Sequence, residues 1–405
     1  MPKELLAERW HSLDRILTEH VALWQVRAFE HAVVPWRDDF PALFEHLSCL
    51  PIERLDELAL DHLALKAELA AVLDVPWLTE IDSWWPVEHF SQTSLNQRVY
   101  AGIPGRKCQQ IAPFAASCRL DTADRQPLVL EWCAGKGYLG RHLAHHYQAR
   151  VFSVEWQQAL TEAGQQFADA HQLPMQFQPL NVLESTLPPE QWRSFDHAVA
   201  LHACGDLHQR FFEQCVEHQV PDFTCSPCCY HLTKAERYQP LAQLCQSSQL
   251  SLSRYDLRLA IQEFVTGGNR ERRIRETEVL WRLAFDRLQR DVRGVDAYLN
   301  LPNVKKSVLS TNFQSFCYWA AEQKELCLPA NIDYAFWLEL AQQQRATVAV
   351  MEVARLFFRQ ALEYWLVLDR ALYIQQQGYE VHIGRFCEKQ VTPRNLYIRA
   401  KRSRV

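Results

Sequence analysis

The sequence predicts an α/β fold in which helices cover a parallel sheet, with mostly helical segments before and after it in the chain. Five short apolar runs lie between residues 127 and 229, and helical stretches separate or follow them. The runs are PLVLEWCA, ARVFSVEW, PMQFQPLNV, FDHAVALHAC and PDFTCSPCC, and the helical stretches are 138–148, 157–171, 206–218 and 233–247. Strands that alternate with helices are typical of a parallel sheet with helices on both faces.

The periodicity of the apolar residues divides the chain into four segments. Residues 1–95 carry apolar residues at three- and four-residue spacing and are predicted to form an N-terminal helical domain. Residues 96–254 contain the alternating strands and helices. Residues 255–375 return to helical periodicity, and residues 376–405 contain two further predicted strands joined by a loop.

The composition narrows the class of protein. No apolar run is long enough to span a bilayer, and the charged N-terminus lacks the features of a signal peptide, so we expect a cytoplasmic protein without membrane contact. Most of the 13 cysteines should then be reduced thiols. The net charge of −5 argues against a basic surface over the whole protein, but the clusters GGNRERRIRE and RNLYIRAKRSRV leave room for local basic patches.

Glycines concentrate directly after the first predicted strand. Gly135, Gly137 and Gly140 fall within six positions of a chain that has only 12 glycines. A glycine-rich turn between a strand and a helix lets the backbone approach a ligand at the helix N-terminus. The spacing fits G-x-G-x-x-G but not a P-loop, because no Ser or Thr follows Lys136.

Acidic residues at the strand ends indicate which ligand the loop binds. Glu131 precedes the loop and suits a cation, Glu155 ends the second strand and suits ribose hydroxyls, and Asn181 follows the third strand, near an adenine edge. Together they favour S-adenosylmethionine (SAM) over NAD. The predicted cofactor-binding residues are Glu131, Cys133, Ala134, Gly135, Lys136, Gly137, Tyr138, Leu139, Glu155, Asn181, Val182 and His202.

Four motifs resemble the class I SAM-dependent methyltransferases with a GKGYL loop, a group that includes eukaryotic methyltransferase-like proteins and the glutathione S-transferase C-terminal-domain-containing protein. They are CAGKGYLG (133–140), LHACGDL (201–207), PCCYH (227–231) and TPRNLYI (392–398), and GRKCQQI with Lys107 resembles a further segment. The resemblance implies a Rossmann-like sheet of seven strands that closes with residues 379–401, and a helical insertion before these strands. Family members commonly have Gly where this chain has Cys133, and Asp where it has Glu131.

The resemblance also places the chemistry at the ends of the fourth and fifth strands. There, His202 and Asp206 are predicted to orient cofactor or substrate, and His231 to act as a general base. Cys225, Cys228 and Cys229 are further catalytic candidates. The stretch TCSPCCYH leaves three interpretations open: a substrate-facing loop similar to one in a tRNA ribose 2′-O-methyltransferase family, covalent catalysis by Cys225 as in RNA 5-methylcytosine enzymes, or zinc ligation by these cysteines with His231. We predict no metal site.

RNA, ribosomal or transfer, is the expected acceptor because related methyltransferases act on RNA and basic residues are available to contact phosphates. Trp84, Trp85 and Tyr100 are candidates for base stacking, although such residues are more often core. A protein or small-molecule acceptor, and a SAM-binding scaffold without catalysis, are the alternatives. The predicted RNA-binding residues are Lys107, Arg270, Arg272, Arg273 and Arg394.

Overall fold

The computed structural model describes residues 2–90, 98–120, 126–262 and 269–402. The chain forms two compact units: residues 1–19, 80–263 and 359–405 form the unit that carries the sheet, and residues 20–79 and 264–358 form a unit whose described elements are helices. This division differs from the four segments predicted from the sequence, because the first helix and the helix that precedes the last two strands belong to the sheet-bearing unit.

The sheet has seven strands in the order β3-β2-β1-β4-β5-β7-β6, which confirms the predicted fold class. Strands β1 to β5 pair in parallel, and β7 runs antiparallel to both β5 and β6. Parallel strands covered on both faces are apolar along most of their length, which explains the short apolar runs in the sequence. The strands are β1 (Leu128–Trp132), β2 (Arg150–Glu155), β3 (Met175–Pro179), β4 (His197–Cys204), β5 (Asp222–Cys228), β6 (Tyr379–Arg385) and β7 (Leu396–Arg402).

The helices follow the predicted periodicity over most of the chain, and among the described ones none is long and apolar enough to span a bilayer. They are α1 (Lys3–Glu19), α2 (Val21–Trp24), α3 (Pro41–Ser48), α4 (Ile52–Leu60), α5 (His62–Leu69), α6 (Gly105–Ser117), α7 (Tyr138–His146), α8 (Gln158–Ala170), α9 (Pro189–Trp192), α10 (Asp206–Glu217), α11 (Arg254–Leu259), α12 (Asn269–Arg293), α13 (Lys306–Leu309), α14 (Phe313–Glu322), α15 (Tyr334–Phe357) and α16 (Arg359–Gln376). Short 3₁₀ helices span Ala28–Glu30, Pro76–Trp84 and Leu244–Ser247.

The helix predicted for residues 233–247 was wrong, because only its end forms a short 3₁₀ helix. Pro240 lies in the middle of this stretch and has no amide to donate, which disfavours a helix. The amides of Leu241 and Ala242 instead donate to the carboxylate of Asp369, at 3.0 and 2.9 Å. A tertiary contact thus replaces the hydrogen bonds that a helix would have made.

Helix α16 is a core helix of the sheet-bearing unit, although the sequence placed it in an insertion. Nearly all of its side chains are buried, and it packs against α1 and β6. The buried Arg370 donates to Nε2 of His208 at 2.8 Å and to the hydroxyl of Tyr238 at 2.9 Å. A buried charge needs such partners, and these contacts tie α16 to the layer that covers β4.

We expect Gly137→Ala to destabilise the protein more than a matched substitution elsewhere. Gly137 has φ +69°, and a Cβ there would collide with the ring of Phe177. The backbone conformation alone costs ~1 kcal/mol for a non-glycine residue, and the collision adds ~1–3 kcal/mol. Gly378→Ala is the control, because Gly378 has φ +83° but open space around it. Equal losses of unfolding free energy in chemical denaturation would contradict this packing role.

Candidate functional site

The loop between β1 and α7 is a tight turn held by backbone hydrogen bonds. The amide of Ala134 donates to the carbonyl of Val154 at 3.0 Å, and the amide of Gly137 donates to the carbonyl of Ala134 at 2.9 Å. Cys133 adopts φ +53°, a left-handed conformation that glycine tolerates best. This conformation explains why the methyltransferases that the chain resembles commonly have glycine at this position.

The three glycines of the loop have different structural roles. A Cβ on Gly135 would meet no atom within 4 Å, so the space in front of this residue is open to a ligand. A Cβ on Gly140 would collide with the carboxylate of Glu131 and would lie 2.6 Å from Cε of Met175. Gly135 therefore leaves room for a cofactor, whereas Gly137 and Gly140 let α7 pack closely against the sheet.

Glu131, at the end of β1, links the helix after the loop to the neighbouring strand through hydrogen bonds. The side chain is buried, Oε1 accepts from the amide of Gly140 at 3.0 Å, and Oε2 accepts from the hydroxyl of Ser153 at 2.7 Å. Burial raises the pKa of this carboxyl to about 7, although both hydrogen bonds favour the ionised form. Direct contact between Glu131 and a cofactor stays a prediction.

The carboxyl end of β2 carries two side chains suited to a nucleoside. Glu155 accepts from the amides of Gly135 at 3.0 Å and Gln157 at 3.1 Å, so its carboxylate lies directly beside the loop. Trp156, which the sequence analysis did not select, is 67% exposed and offers a free aromatic surface. Its signal in the sequence was its position immediately after the acidic strand end.

The other predicted cofactor residues differ in how far their side chains are available to a ligand. Asn181 accepts from the amide of Leu183 at 3.2 Å and shapes the turn after β3, where Val182 is buried. Leu139 packs into the apolar core, so its side chain is not available to a ligand. Tyr138 donates to the carbonyl of Gly102 at 3.3 Å, and Lys136 is exposed.

His202 and Asp206 lie at the end of β4. Nε2 of His202 is 2.9 Å from Oε1 of Gln110, a residue of α6 that the sequence analysis missed. Burial, followed by the charges of Lys107 and Arg394, lowers the pKa of His202 to about 4. Asp206 accepts from the amide of Lys234 at 2.8 Å and lines a cavity of about 290 Å³. The hydrogen bond to Lys234 fixes the segment that follows His231.

His231 follows β5 in a turn closed by a hydrogen bond from the amide of Leu232 to the carbonyl of Cys229, at 2.9 Å. Its Nδ1 is buried and has no hydrogen-bond partner among the described residues. Burial and the charges of Arg258 and Arg394 lower its pKa, and only the thiol of Cys229 opposes them. The imidazole is therefore neutral near pH 7.

The cysteines at this edge have different environments. Cys225 is fully buried within β5, and burial raises its pKa well above the ordinary value, which argues against covalent catalysis by this thiol. The sulfurs that converge belong to Cys204, Cys228 and Cys229, within 4.8 Å of one another. Cys204 lies in the quoted LHACGDL motif but was not selected as a site residue, because only the pairing of β4 with β5 brings it beside Cys228.

Cys133 connects the two parts of the site. Burial, together with the nearby Glu155 and Cys204, raises the pKa of its thiol to about 12. Cys133 therefore lies near both the acidic end of β2 and the cysteines at the end of β4. The glycine loop and the residues proposed for chemistry occupy the same edge of the sheet.

The predicted RNA-binding residues are divided between the two units. Lys107 is exposed on α6, with Nζ 5.0 Å from the centre of the Tyr138 ring, and Arg394 donates to the carbonyl of Ile261 at 3.2 Å. Arg273 is exposed on α12 in the helical unit, and the side chains of Arg270 and Arg272 lie outside the described residues. In the basic C-terminal stretch, Arg399 pairs with Asp222 in the sheet.

The three aromatic residues considered for base stacking have partners within the chain. Trp85 is buried and packs with Trp84 and Tyr364. The hydroxyl of Tyr100 bonds to Nδ1 of His142. Packing within the protein therefore accounts for all three.

Comparison with known proteins identifies the class of the domain. Residues 106–236, less than half of the chain, match the family model described as a methyltransferase domain. No curated protein sequence matches the chain. Residues 106–236 therefore match a methyltransferase domain, and the seven-strand sheet agrees with the fold expected from the sequence.

Solved structures similar to the chain include several enzymes. Coclaurine N-methyltransferase, bound to N-methylheliamine and SAH, is 11% identical with a TM-score of 0.25 over 56% of this chain and 58% of that chain. The [4+2]-cyclase SpnF is 14% identical with a TM-score of 0.26 over 35% and 49%. The bifunctional kinase-methyltransferase WbdD is 15% identical with a TM-score of 0.21 over 36% and 34%. The chain thus spans less than two thirds of each.

The geometry of the loop fits SAM. Open space in front of Gly135 admits a ligand close to the backbone, and Glu155 and the exposed ring of Trp156 stand beside it at the end of β2. Gly135, Glu155, Trp156 and Asn181 would hold the adenosine part of the cofactor. Gly137 and Gly140 keep the start of α7 near it.

We expect Glu131→Gln to remove a pH dependence of stability. The pKa of Glu131 in the folded chain lies above the 4.5 of an exposed glutamate, so its ionisation destabilises the fold. The penalty is absent below pH 4.5, grows as the pH rises and is complete above pH 7. The unfolding free energy of the variant relative to wild type should therefore rise by on the order of 1–3 kcal/mol from acidic to mildly alkaline pH.

Unfolding by denaturant across this pH range measures the difference. Glu162→Gln is the control, because Glu162 is exposed on α8 and bonds only to Gln158 among the described contacts. Parallel stability curves for Glu131→Gln and wild type would show that the buried carboxyl does not titrate as described.

Proposed function

We propose that the protein is a cytoplasmic enzyme that transfers the methyl group of SAM to ribosomal or transfer RNA. One observation supports RNA: three cationic side chains lie near His202 and His231 at the end of the sheet. Lys107 from α6, Arg258 from α11 and Arg394 before β7 all lie close enough to lower the pKa of one or both histidines. Cations from three separate elements favour a polyanionic substrate.

The local charge is more informative than the total charge. The protein as a whole has a net charge of −5, so a cationic site does not follow simply from a basic composition. Lys107 and Arg258 are exposed and can approach phosphates, whereas Arg394 is partly buried and lies nearer the histidines. This arrangement suits a substrate whose phosphates lie at the surface while one nucleotide reaches the strand ends.

The residues of the chain supply alignment and a proton acceptor. SAM supplies an electrophilic methyl group on a sulfonium. Neutral His231, with a buried and unpartnered Nδ1, is the group that would accept the proton of a ribose 2′-hydroxyl; a base atom is the other candidate acceptor. Neutral His202, fixed by Gln110, would orient the substrate beside the loop. Alignment of the reacting atoms in a site shielded from water supplies most of the rate enhancement.

His231→Ala should lower the rate of methyl transfer by ~10²–10⁴-fold, the usual contribution of a general base. SAM affinity, measured by calorimetry, should stay unchanged because the loop and Glu155 remain. In wild type, the rate should fall as the pH drops through a value below 6.5, where the imidazole becomes charged. His171→Ala is the control, because His171 is exposed and directly follows α8, outside the strand ends that carry His202 and His231. Full activity of His231→Ala would contradict the assignment of His231 as the general base, but it would not affect the match to a methyltransferase domain.

The acceptor is tested with radiolabelled SAM and RNA from a strain that lacks the gene, beside RNA from the parent strain. Label that enters only RNA from the deletion strain supports the proposal, since the parent RNA is already methylated. Mapping the label then distinguishes ribose from base. With SAM binding intact, absence of label from free RNA and from ribosomal particles of the deletion strain contradicts an RNA acceptor. It favours a protein, a small molecule or a scaffold without catalysis.

Lys107→Gln and Arg258→Gln should each weaken RNA binding and reduce the salt dependence of the affinity. Each lost phosphate contact lowers the slope of log K against log salt by ~0.7 for single-stranded RNA. Arg150→Gln is a matched control, because Arg150 is exposed at the opposite, amino-terminal end of β2. An unchanged slope in both site variants would show that these cations do not contact the nucleic acid.

A further inference from the structure

Three cysteine sulfurs converge where β4 and β5 end. Cys204 and Cys228 are paired in register on the two parallel strands, and their sulfurs are 3.5 Å apart. The sulfur of Cys229 lies within 4.8 Å of both. Among the described residues, this is the group whose cysteine, histidine or carboxylate atoms lie close enough together to hold one metal ion.

The backbone is shaped to bring these sulfurs together. Successive residues of a strand point to opposite faces, so Cys228 and Cys229 would normally diverge. Cys229 instead adopts φ +47°, which ends the strand and lets its sulfur return toward that of Cys228. On the other strand, an irregularity between Leu201 and Ala203, with His202 at φ +59°, brings Cys204 into register with Cys228.

Contacts at Gly205 hold the two strand ends in this arrangement. The amide of Gly205 donates to the carbonyl of Cys228 at 3.0 Å, and a Cβ on Gly205 would collide with the carbonyl of Leu232. Only glycine allows this approach, which fixes Cys204 beside the turn after β5. Two left-handed non-glycine residues and one obligatory glycine at these two strand ends represent a conformational cost that a bound ligand would offset.

The thiols of Cys204 and Cys228 also contact backbone carbonyls. The hydrogen-bond acceptors near Cys204 and Cys228 are the carbonyls of His202 and Ala203, at 3.5 and 3.7 Å. These long contacts leave sulfur lone pairs free for a soft cation.

We propose that Cys204, Cys228 and Cys229 bind a zinc ion through their sulfurs. Thiolates select zinc over hard cations such as magnesium, and three protein ligands leave a fourth position for water or another ligand, as in catalytic zinc sites. This ligand set differs from the one considered on sequence alone, because Cys225 is buried inside β5 and His231 lies outside the convergent group.

Such an ion would also position the proposed base. Cys229 begins the turn that carries His231, and that turn is closed by the bond from Leu232 to Cys229. Fixing the Cys229 sulfur to β4 would hold His231 at the strand ends. The zinc site does not depend on the RNA proposal, since metal content is measured without methyl transfer.

The first experiment uses the full-length wild-type chain. Purified without chelators and dialysed against a weak zinc competitor, it should retain about one zinc ion per chain by elemental analysis. In pulsed alkylation with mass spectrometry, Cys204, Cys228 and Cys229 should be protected in the zinc-loaded chain and react after chelation. Exposed Cys49 and Cys327 should react equally in both states and serve as internal controls.

Variants separate a built site from adventitious zinc. Cys204→Ser and Cys229→Ser, both at partly buried positions, should each lower zinc affinity by ~10-fold or more, whereas Cys49→Ser should not. Cobalt loading of wild type gives a second readout, with sulfur-to-cobalt charge-transfer bands that weaken in the cluster variants. Zinc that is lost on dialysis, equal alkylation with and without zinc, or a disulfide between Cys204 and Cys228 in the freshly purified chain would each overturn the proposal.

Discussion

The buried carboxylate of Glu131 joins β1, β2 and α7, and the arrangement of the site depends on this joint. One oxygen accepts from the amide of Gly140 in α7 and the other from Ser153 in β2. The helix can reach the carboxylate only because Gly137 and Gly140 present no side chain to the sheet. The turn at Gly135 is held by Glu155 instead, and the backbone there stays open to a ligand.

The direction of the strands brings the rest of the site together. Strands β1, β2, β4 and β5 are parallel, so their carboxyl ends meet at one edge, where ligands of open α/β sheets bind. Glu155 and Cys204 are distant in sequence, yet both influence the thiol of Cys133. Helix α6 adds Lys107 and Gln110 to this edge from before the first strand.

Burial and positive charge set the ionisation states at this edge. Burial together with Lys107, Arg258 and Arg394 keeps His202 and His231 neutral near pH 7. A positive environment favours anions such as the phosphates of a substrate. The RNA proposal rests on this charge, whereas the zinc proposal rests on the convergence of three sulfurs, so the two fail in different experiments.

The sequence by itself determined the alternation of strands and helices, the glycine loop and the acidic end of β2, because local periodicity and glycine spacing carry these features. The number of seven strands was implied by the resemblance of four motifs to a known family. The sequence did not determine the role of Glu131, the absence of a helix around Pro240 or the burial of α16. Nor did the sequence show that the sulfurs of Cys204, Cys228 and Cys229 converge. Only the tertiary structure decided these points, because each depends on strand pairing and packing between residues far apart in the chain, which no local pattern records.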